Sequence, residues 1–271
     1  MIYFLDFRGR NQGGPVLPGR IVIPAGADAT ATEEALRRES RVVFLTHGFN
    51  VNRDSGQAQL HDFAAALPRA AGAALVVVTW PGDSWAGAAG YSFEGNDADD
   101  SGAELARFID RVLRAGAELG FVSHSLGARV VMETIKRLDA ARWPVTQVCV
   151  MAPAIDDTSV STPRVYRNAV EDSQRVAVLA SEGDRVLRWA YPAGDLLQAF
   201  VFFWKDVSGA ALGLHGARAD GRWSVPENLL ARVVPRGDGV DHGDYLFAGA
   251  PSDKQRRAAA FADAVLAGVA P

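Results

Sequence analysis

Five short apolar runs punctuate the middle of the chain: "RVVFLTHG" (41–48), "ALVVVTW" (74–80), "GFVSH" (120–124), "QVCVMAP" (147–153) and "RVAVLAS" (175–181). They are rich in β-branched residues and apolar almost throughout, which is the pattern of parallel strands covered on both faces. Helix-like segments lie among and after them, at 54–70, 98–115, 126–141 and 252–268. In "AELARFIDRVL", Leu105, Phe108, Ile109 and Val112 keep the i, i+3, i+4, i+7 spacing of a single helix face. Strand and helix therefore alternate from about 41 to 181, and that alternation predicts a doubly wound, mostly parallel α/β sheet flanked by helices. Two earlier runs, "IYFLDF" (2–7) and "RIVIP" (20–24), are joined by a Gly/Pro-rich stretch with no room for a crossover helix. They are expected to form an antiparallel N-terminal edge.

A chain of 271 residues with 48% hydrophobic content can build one large α/β core. No repeat or linker divides it, so a single domain over 1–271 is expected, with an excursion at about 185–240 that fits the alternation poorly. The formal charge of −4 and the lack of a basic cluster exclude a dedicated nucleic-acid binder. Cys149 is the only cysteine, which rules out an intrachain disulfide. It has no Cys/His partners for zinc and reads as a buried small hydrophobe. The N-terminal "MIYFLDFR" carries acidic and basic residues where a signal peptide would be apolar. The most apolar later stretch, "LLQAFVFFW" (196–204), is far shorter than the roughly 20 residues of a membrane span. A cytoplasmic protein is expected, of open oligomeric state.

In such a sheet, functional groups gather at the carboxyl ends of the strands. A hydroxyl nucleophile needs a base, an orienter for that base and donors for an oxyanion, and the strand ends offer each. After 120–124 comes Ser125, in Ser123-His124-Ser125-Leu126-Gly127. This is a nucleophile elbow with serine in place of the first small glycine, although a serine there could also cap the next helix. After 41–46 comes "THGFN", a Gly-containing loop whose Phe49 amide, with the Leu126 amide, would form an oxyanion hole. His47 reads as a structural histidine holding that loop. After 175–181 comes Asp184, the candidate acid, with Asp156, Asp157 and Asp195 as competitors. In "GVDHGDYLF", His242 is the candidate base. Of the five histidines, His47, His61 and His124 precede Ser125 and so break the order Ser…Asp…His, which leaves His215 as the rival.

With these residues in view, the chain resembles the α/β-hydrolases, and more narrowly the uncharacterised bacterial DUF900-type hydrolases. "HGFN", "TWPG" (79–82), "SHSLGAR" and "DHGDY" carry the resemblance, which runs from about 41 to 247. It implies a Ser-Asp-His hydrolase built on Ser125, Asp184 and His242, acting on a small-molecule acyl substrate without metal or organic cofactor.

Three further signals have plainer explanations. "GDS" (82–84) echoes lipases with serine in that tripeptide, but those carry it near the N-terminus after the first strand and "DHGD" does not keep their D-x-x-H spacing, so a loop beside the pocket is the better account. "NDADDSGAELARF" (96–108) starts like a calcium loop, yet Phe108 stands where a bidentate Glu is required, so an acidic helix start is expected. The aromatic stretch 187–204 suits either a lid over an acyl pocket or a core helix.

Overall fold

The computed structural model describes residues 1–22, 28–70, 72–83, 91–190 and 210–270, with backbone alone for 69, 91–95, 189 and 190. The described strands form an eight-stranded sheet of order β2-β1-β4-β3-β5-β6-β7-β8. They are β1 (Ile2–Asp6), β2 (Arg20–Val22), β3 (Arg41–Thr46), β4 (Ala74–Thr79), β5 (Glu118–His124), β6 (Val145–Met151), β7 (Ser173–Ser181) and β8 (Leu229–Val234). β2 pairs antiparallel with β1 at one edge, and all other pairings are parallel. The mostly parallel sheet and the antiparallel N-terminal edge follow the sequence pattern.

Helices cover both faces, as the two-sided burial of β3, β4 and β5 demands. One core layer joins the sheet to α1 (Ala29–Arg38), α3 (Tyr91–Val112), α4 (Gly127–Ile135) and α5 (Arg167–Glu171). The other joins it to α2 (Arg53–Ala65), the one-turn α6 (Leu212–His215) and the C-terminal α7 (Asp253–Leu266). Side chains set the helix starts. Asp28 accepts from the Thr30 amide at 2.8 Å, Asn52 from the Ser55 amide at 2.9 Å, and Ser252 and Gln255 form a reciprocal capping box. Parallel register brings the strand ends level: Thr46 lies opposite Ser123, His124 opposite Met151 and Ser181 opposite Val234. The loops after β3, β5, β7 and β8 therefore share one rim.

Several elements differ from the sequence reading. α1 was not anticipated, and it buries only Leu36. β8 lies inside the 185–240 excursion; it is an edge strand exposed along most of its length, so it lacks the apolar run that marks the others. The acidic stretch 96–102 is not a helix start but sits within α3, where a calcium loop cannot form. Among the described residues no group of His, Cys, Asp and Glu could hold a metal ion, and no helix is long and apolar enough to cross a membrane. The possible lid at 185–204 falls largely within 191–209, outside the described residues.

Candidate active site

β5 ends at His124, and the next residue turns with φ at +54°. That is left-handed backbone, which a residue bearing Cβ adopts only under constraint. The constraint is visible on both sides of Ser125: its N–H donates to Met151 O at 3.0 Å, and its carbonyl accepts from the Ala154 amide at 3.1 Å. Two glycines make room for the turn. A Cβ on Gly48 would stand 2.7 Å from Ser125 Cβ, and one on Gly127 would stand 2.4 Å from His47 O. Either contact would force the loop after β3 and the elbow apart. Leu126 occupies the N-cap of α4 and makes no side-chain cap bond. The Ser125 hydroxyl is thus not a cap; its Oγ lies 2.8 Å from His242 Nε2.

His242 Nδ1 lies 2.7 Å from Asp184 Oδ2. Asp184 is fully buried, follows the end of β7, and its other oxygen accepts from the Leu187 amide at 2.8 Å. A buried carboxylate accepts only, so Nδ1 carries the imidazole proton and Nε2 offers its lone pair to the serine hydroxyl. The segment carrying His242 has no regular structure, and side chains fix its peptide groups. Ser181 Oγ donates to Val240 O at 2.7 Å, the Asp241 amide donates to Asp244 Oδ2 at 2.8 Å, and the His242 amide donates to Asp241 Oδ1 at 2.9 Å. Arg185 in turn donates from Nε to Asp241 Oδ2 at 2.6 Å. A cleft of about 820 Å³ opens beside His242, lined also by Gly183, Arg185, Arg188 and Arg236.

The loop after β3 is held from behind. His47 is fully buried, with Nδ1 2.8 Å from Gly48 O and Nε2 accepting from the Trp80 amide at 3.3 Å. Its ring stacks on Trp80 at 5.6 Å, while Trp80 Nε1 donates back to His47 O at 3.0 Å. Burial pushes His47 down to about 4, against the opposing pull of its bond to Gly48. A neutral ring donating from Nδ1 draws the Gly48 carbonyl to itself, and the planar trans peptide then turns the Phe49 amide the other way. Arg8, also fully buried, donates to Val51 O at 2.9 Å and pairs with Asp83, tying β1 to the same loop.

The competing acids are engaged elsewhere. Asp157 receives both arms of Arg218 at 3.1 Å, and Asp156 accepts from the Thr158 amide at 2.6 Å. Asp195 lies outside the described residues, and His215 is exposed at the end of α6. In "GDS", Asp83 is the partner of Arg8, and Ser84 lies outside the described residues. Cys149 is buried, and desolvation pushes its thiol up. Sequence reasoning set His124 aside as preceding Ser125, yet its ring stands 4.8 Å from that of His242. No sequence spacing marks that contact, because the two residues come from segments far apart in the chain.

A sheet of this order, with a strained serine after its central strand, defines the α/β-hydrolase class. Residues 26–192 match the family described as "Alpha/beta hydrolase of unknown function (DUF900)", and the chain belongs to that family. The matched span includes Ser125 and Asp184 and stops short of His242. Among solved structures, the chain is similar to LpqC, a poly(3-hydroxybutyrate) depolymerase from Bordetella parapertussis. The identity there is 16% over 86% of this chain and 82% of that one, with a TM-score of 0.46. It is also similar to a metagenomic carboxyl esterase, at 18% identity over 95% of this chain and 81% of that one, with a TM-score of 0.42. No functionally curated protein matches the sequence.

Proposed function

We propose that the chain is a serine hydrolase that transfers the acyl group of a carboxylic ester, or a similar small acyl substrate, to water. The observation that carries this reading is the unbroken hydrogen-bond chain Asp184–His242–Ser125, with contacts of 2.7 and 2.8 Å. In this reading Ser125 Oγ attacks the substrate carbonyl carbon while its proton passes to His242 Nε2. Asp184 holds the ring and offsets the positive charge that forms on it. The carbonyl oxygen becomes an oxyanion and takes hydrogen bonds from the Phe49 and Leu126 amides, an effect worth roughly 3–4 kcal/mol per donor in comparable enzymes. Collapse expels the alcohol, which leaves with the proton from His242. Water then attacks the acyl-serine by the same route, and the carboxylic acid departs. Every proton is carried by the triad, so the scheme uses neither metal nor organic cofactor.

Thioesters and amides would use the same groups. A p-nitrophenyl ester series of graded chain length, run beside a thioester and an anilide, orders them by kcat/KM. The decisive test is covalent. A fluorophosphonate should label the folded protein stoichiometrically, and Ser125→Ala should abolish the label. A folded wild-type protein that takes no label would reject the hydrolase in favour of a non-catalytic binding module.

A further inference from the structure

His124 does nothing in the scheme above, yet it lies against the base. Its Nε2 is 2.9 Å from the backbone carbonyl oxygen of His242. A carbonyl oxygen can only accept, so Nε2 bears a proton, and in the neutral ring Nδ1 then keeps the lone pair. Nδ1 faces Gly48, where a Cβ would come within 3.3 Å of it. The ring lies against those of His242, at 4.8 Å, and Tyr245, at 5.5 Å. The two histidines thus hold opposite tautomers: His242 is protonated on Nδ1 towards Asp184, and His124 on Nε2 towards the backbone of His242.

The bond matters because of where it falls. Side chains fix the Val240 carbonyl, the Asp241 amide and the His242 amide. The His242 carbonyl completes this set, and His124 is the group that holds it. The imidazole must keep two hydrogen bonds at once, and its main chain has no helix or strand to fix it. Resting on the hydrolase reading above, we propose that His124 is a positioning residue: its Nε2–H clamps the His242 carbonyl and so sets the approach of the base to Ser125. The residue before the nucleophile would then couple the elbow after β5 to the loop after β8, tying nucleophile and base into one unit.

A donor in this place has to remain uncharged, because the neighbouring ring becomes an imidazolium in each cycle. Burial, and next the charge on His242, hold His124 well below the ordinary histidine value, against the raising effect of the carbonyl bond. Among the described residues, the titratable groups facing it are His242, Tyr245 and, across Gly48, His47. None of these is a carboxylate that would favour its charged form.

The test uses two variants and one measurement on the wild type. His124→Phe keeps the ring and removes the donor; kcat on a p-nitrophenyl ester should fall on the order of 10- to 100-fold, with KM within about threefold. His124→Gln, whose amide nitrogen can reach the same carbonyl, should regain kcat to within about fivefold of the wild type. The acid limb of the kcat/KM profile should stay in place in both. An unchanged kcat in His124→Phe, a Gln variant no better than Phe at equal thermal stability, or an acid limb moved by about one pH unit or more would each overturn the proposal. Nitrogen NMR of histidine-labelled wild type decides the matter independently of how the variants fold. His124 should appear as a neutral Nε2–H tautomer from pH 5 to 8, and an Nδ1–H tautomer or a cation in that range would also overturn the clamp. Failure of fluorophosphonate labelling would instead remove the hydrolase reading, while the NMR result still decides whether the clamp exists.

Discussion

Asp184 uses its two oxygens differently: one accepts from the Leu187 amide at 2.8 Å, the other from His242 Nδ1 at 2.7 Å. Asp184→Asn can satisfy only one of these partners with its single oxygen. The Leu187 amide is a fixed donor in a buried turn, so it should keep the oxygen and leave the NH2 facing His242. Two donors cannot face each other, and the imidazole should then move its proton from Nδ1 to Nε2. With Nε2 protonated, the ring donates to Ser125 instead of accepting its proton. The expected loss in kcat on a p-nitrophenyl ester is on the order of 10³- to 10⁴-fold with KM nearly unchanged. Asp156→Asn and Asp157→Asn should stay within about threefold of the wild type, because their hydrogen bonds go to Thr158 and Arg218. Near-normal turnover in Asp184→Asn would show that another group orients the base. The same variant should leave the fold intact, since asparagine matches aspartate in volume.

At the level of elements, the elbow depends on how α4 is seated against α3. Gly102 in α3 is the point of contact: a Cβ there would stand 2.7 Å from Glu133 Cβ and 2.8 Å from Val130 O, both on α4. Thr134 Oγ1 crosses the same gap to Gly102 O at 3.2 Å, and Arg129 clasps Asp99 with two bonds of 2.6 Å. Gly102→Ala therefore sets two effects against each other. A helix interior gains roughly 1 kcal/mol from alanine over glycine, while overpacking against backbone costs roughly 1–3 kcal/mol. Neither contact is the free end of a flexible side chain, so the clash should win and urea unfolding should show a net loss of about 1 kcal/mol. A stabilised Gly102→Ala would mean that the helices can separate at little cost. The elements also show which parts of the fold a sequence can reveal. The runs from β3 to β7 were legible because both faces of each strand are covered, leaving one long apolar word per strand. β8 was not, since it forms the far edge with most of "LLARVV" exposed. Nor was α1, whose "ATATEEALRR" buries a single leucine. Ser125 and Asp184 could be nominated because each follows a legible strand, and His242 because only it and His215 come after Ser125 in the chain. His124 could not, because its partner is a backbone carbonyl far along the chain, and no side-chain pattern records that.

Across the whole molecule, His47 joins the pieces on which the rim is built. It contacts Trp80 after β4, it lies where a Cβ on Gly56 of α2 would come within 2.9 Å of its ring, and its carbonyl abuts Gly127 of α4. Its neighbour Val51 is held by Arg8 from the end of β1. A proton added to this ring would lose the lone pair that accepts from the Trp80 amide, in a site with no exposed surface. Burial lowers His47 from the ordinary 6.5 to about 4, so between these values the unfolded chain binds a proton that the folded one refuses. The stability this histidine withholds from the acid side is thus intact above pH 6.5 and declines as pH falls towards 4. At about 1.4 kcal/mol per pH unit the decline amounts to roughly 3 kcal/mol. The downward shift of His124 acts in the same direction. Urea midpoints of the wild type should therefore fall relative to those of His47→Asn between pH 6.5 and 4.5, a comparison that cancels Asp97, whose carboxyl burial raises to about 6 and which acts in the opposite direction. His47→Asn has no ring to titrate. It should be less stable at pH 7.5, through loss of the Trp80 stack, with a deficit that narrows as pH falls across the same window. Equal slopes in the two proteins would place the acid sensitivity in another part of the molecule. Because the same ring sets the direction of the Phe49 amide, acid that protonates His47 should also disturb the loop after β3 before the sheet unfolds.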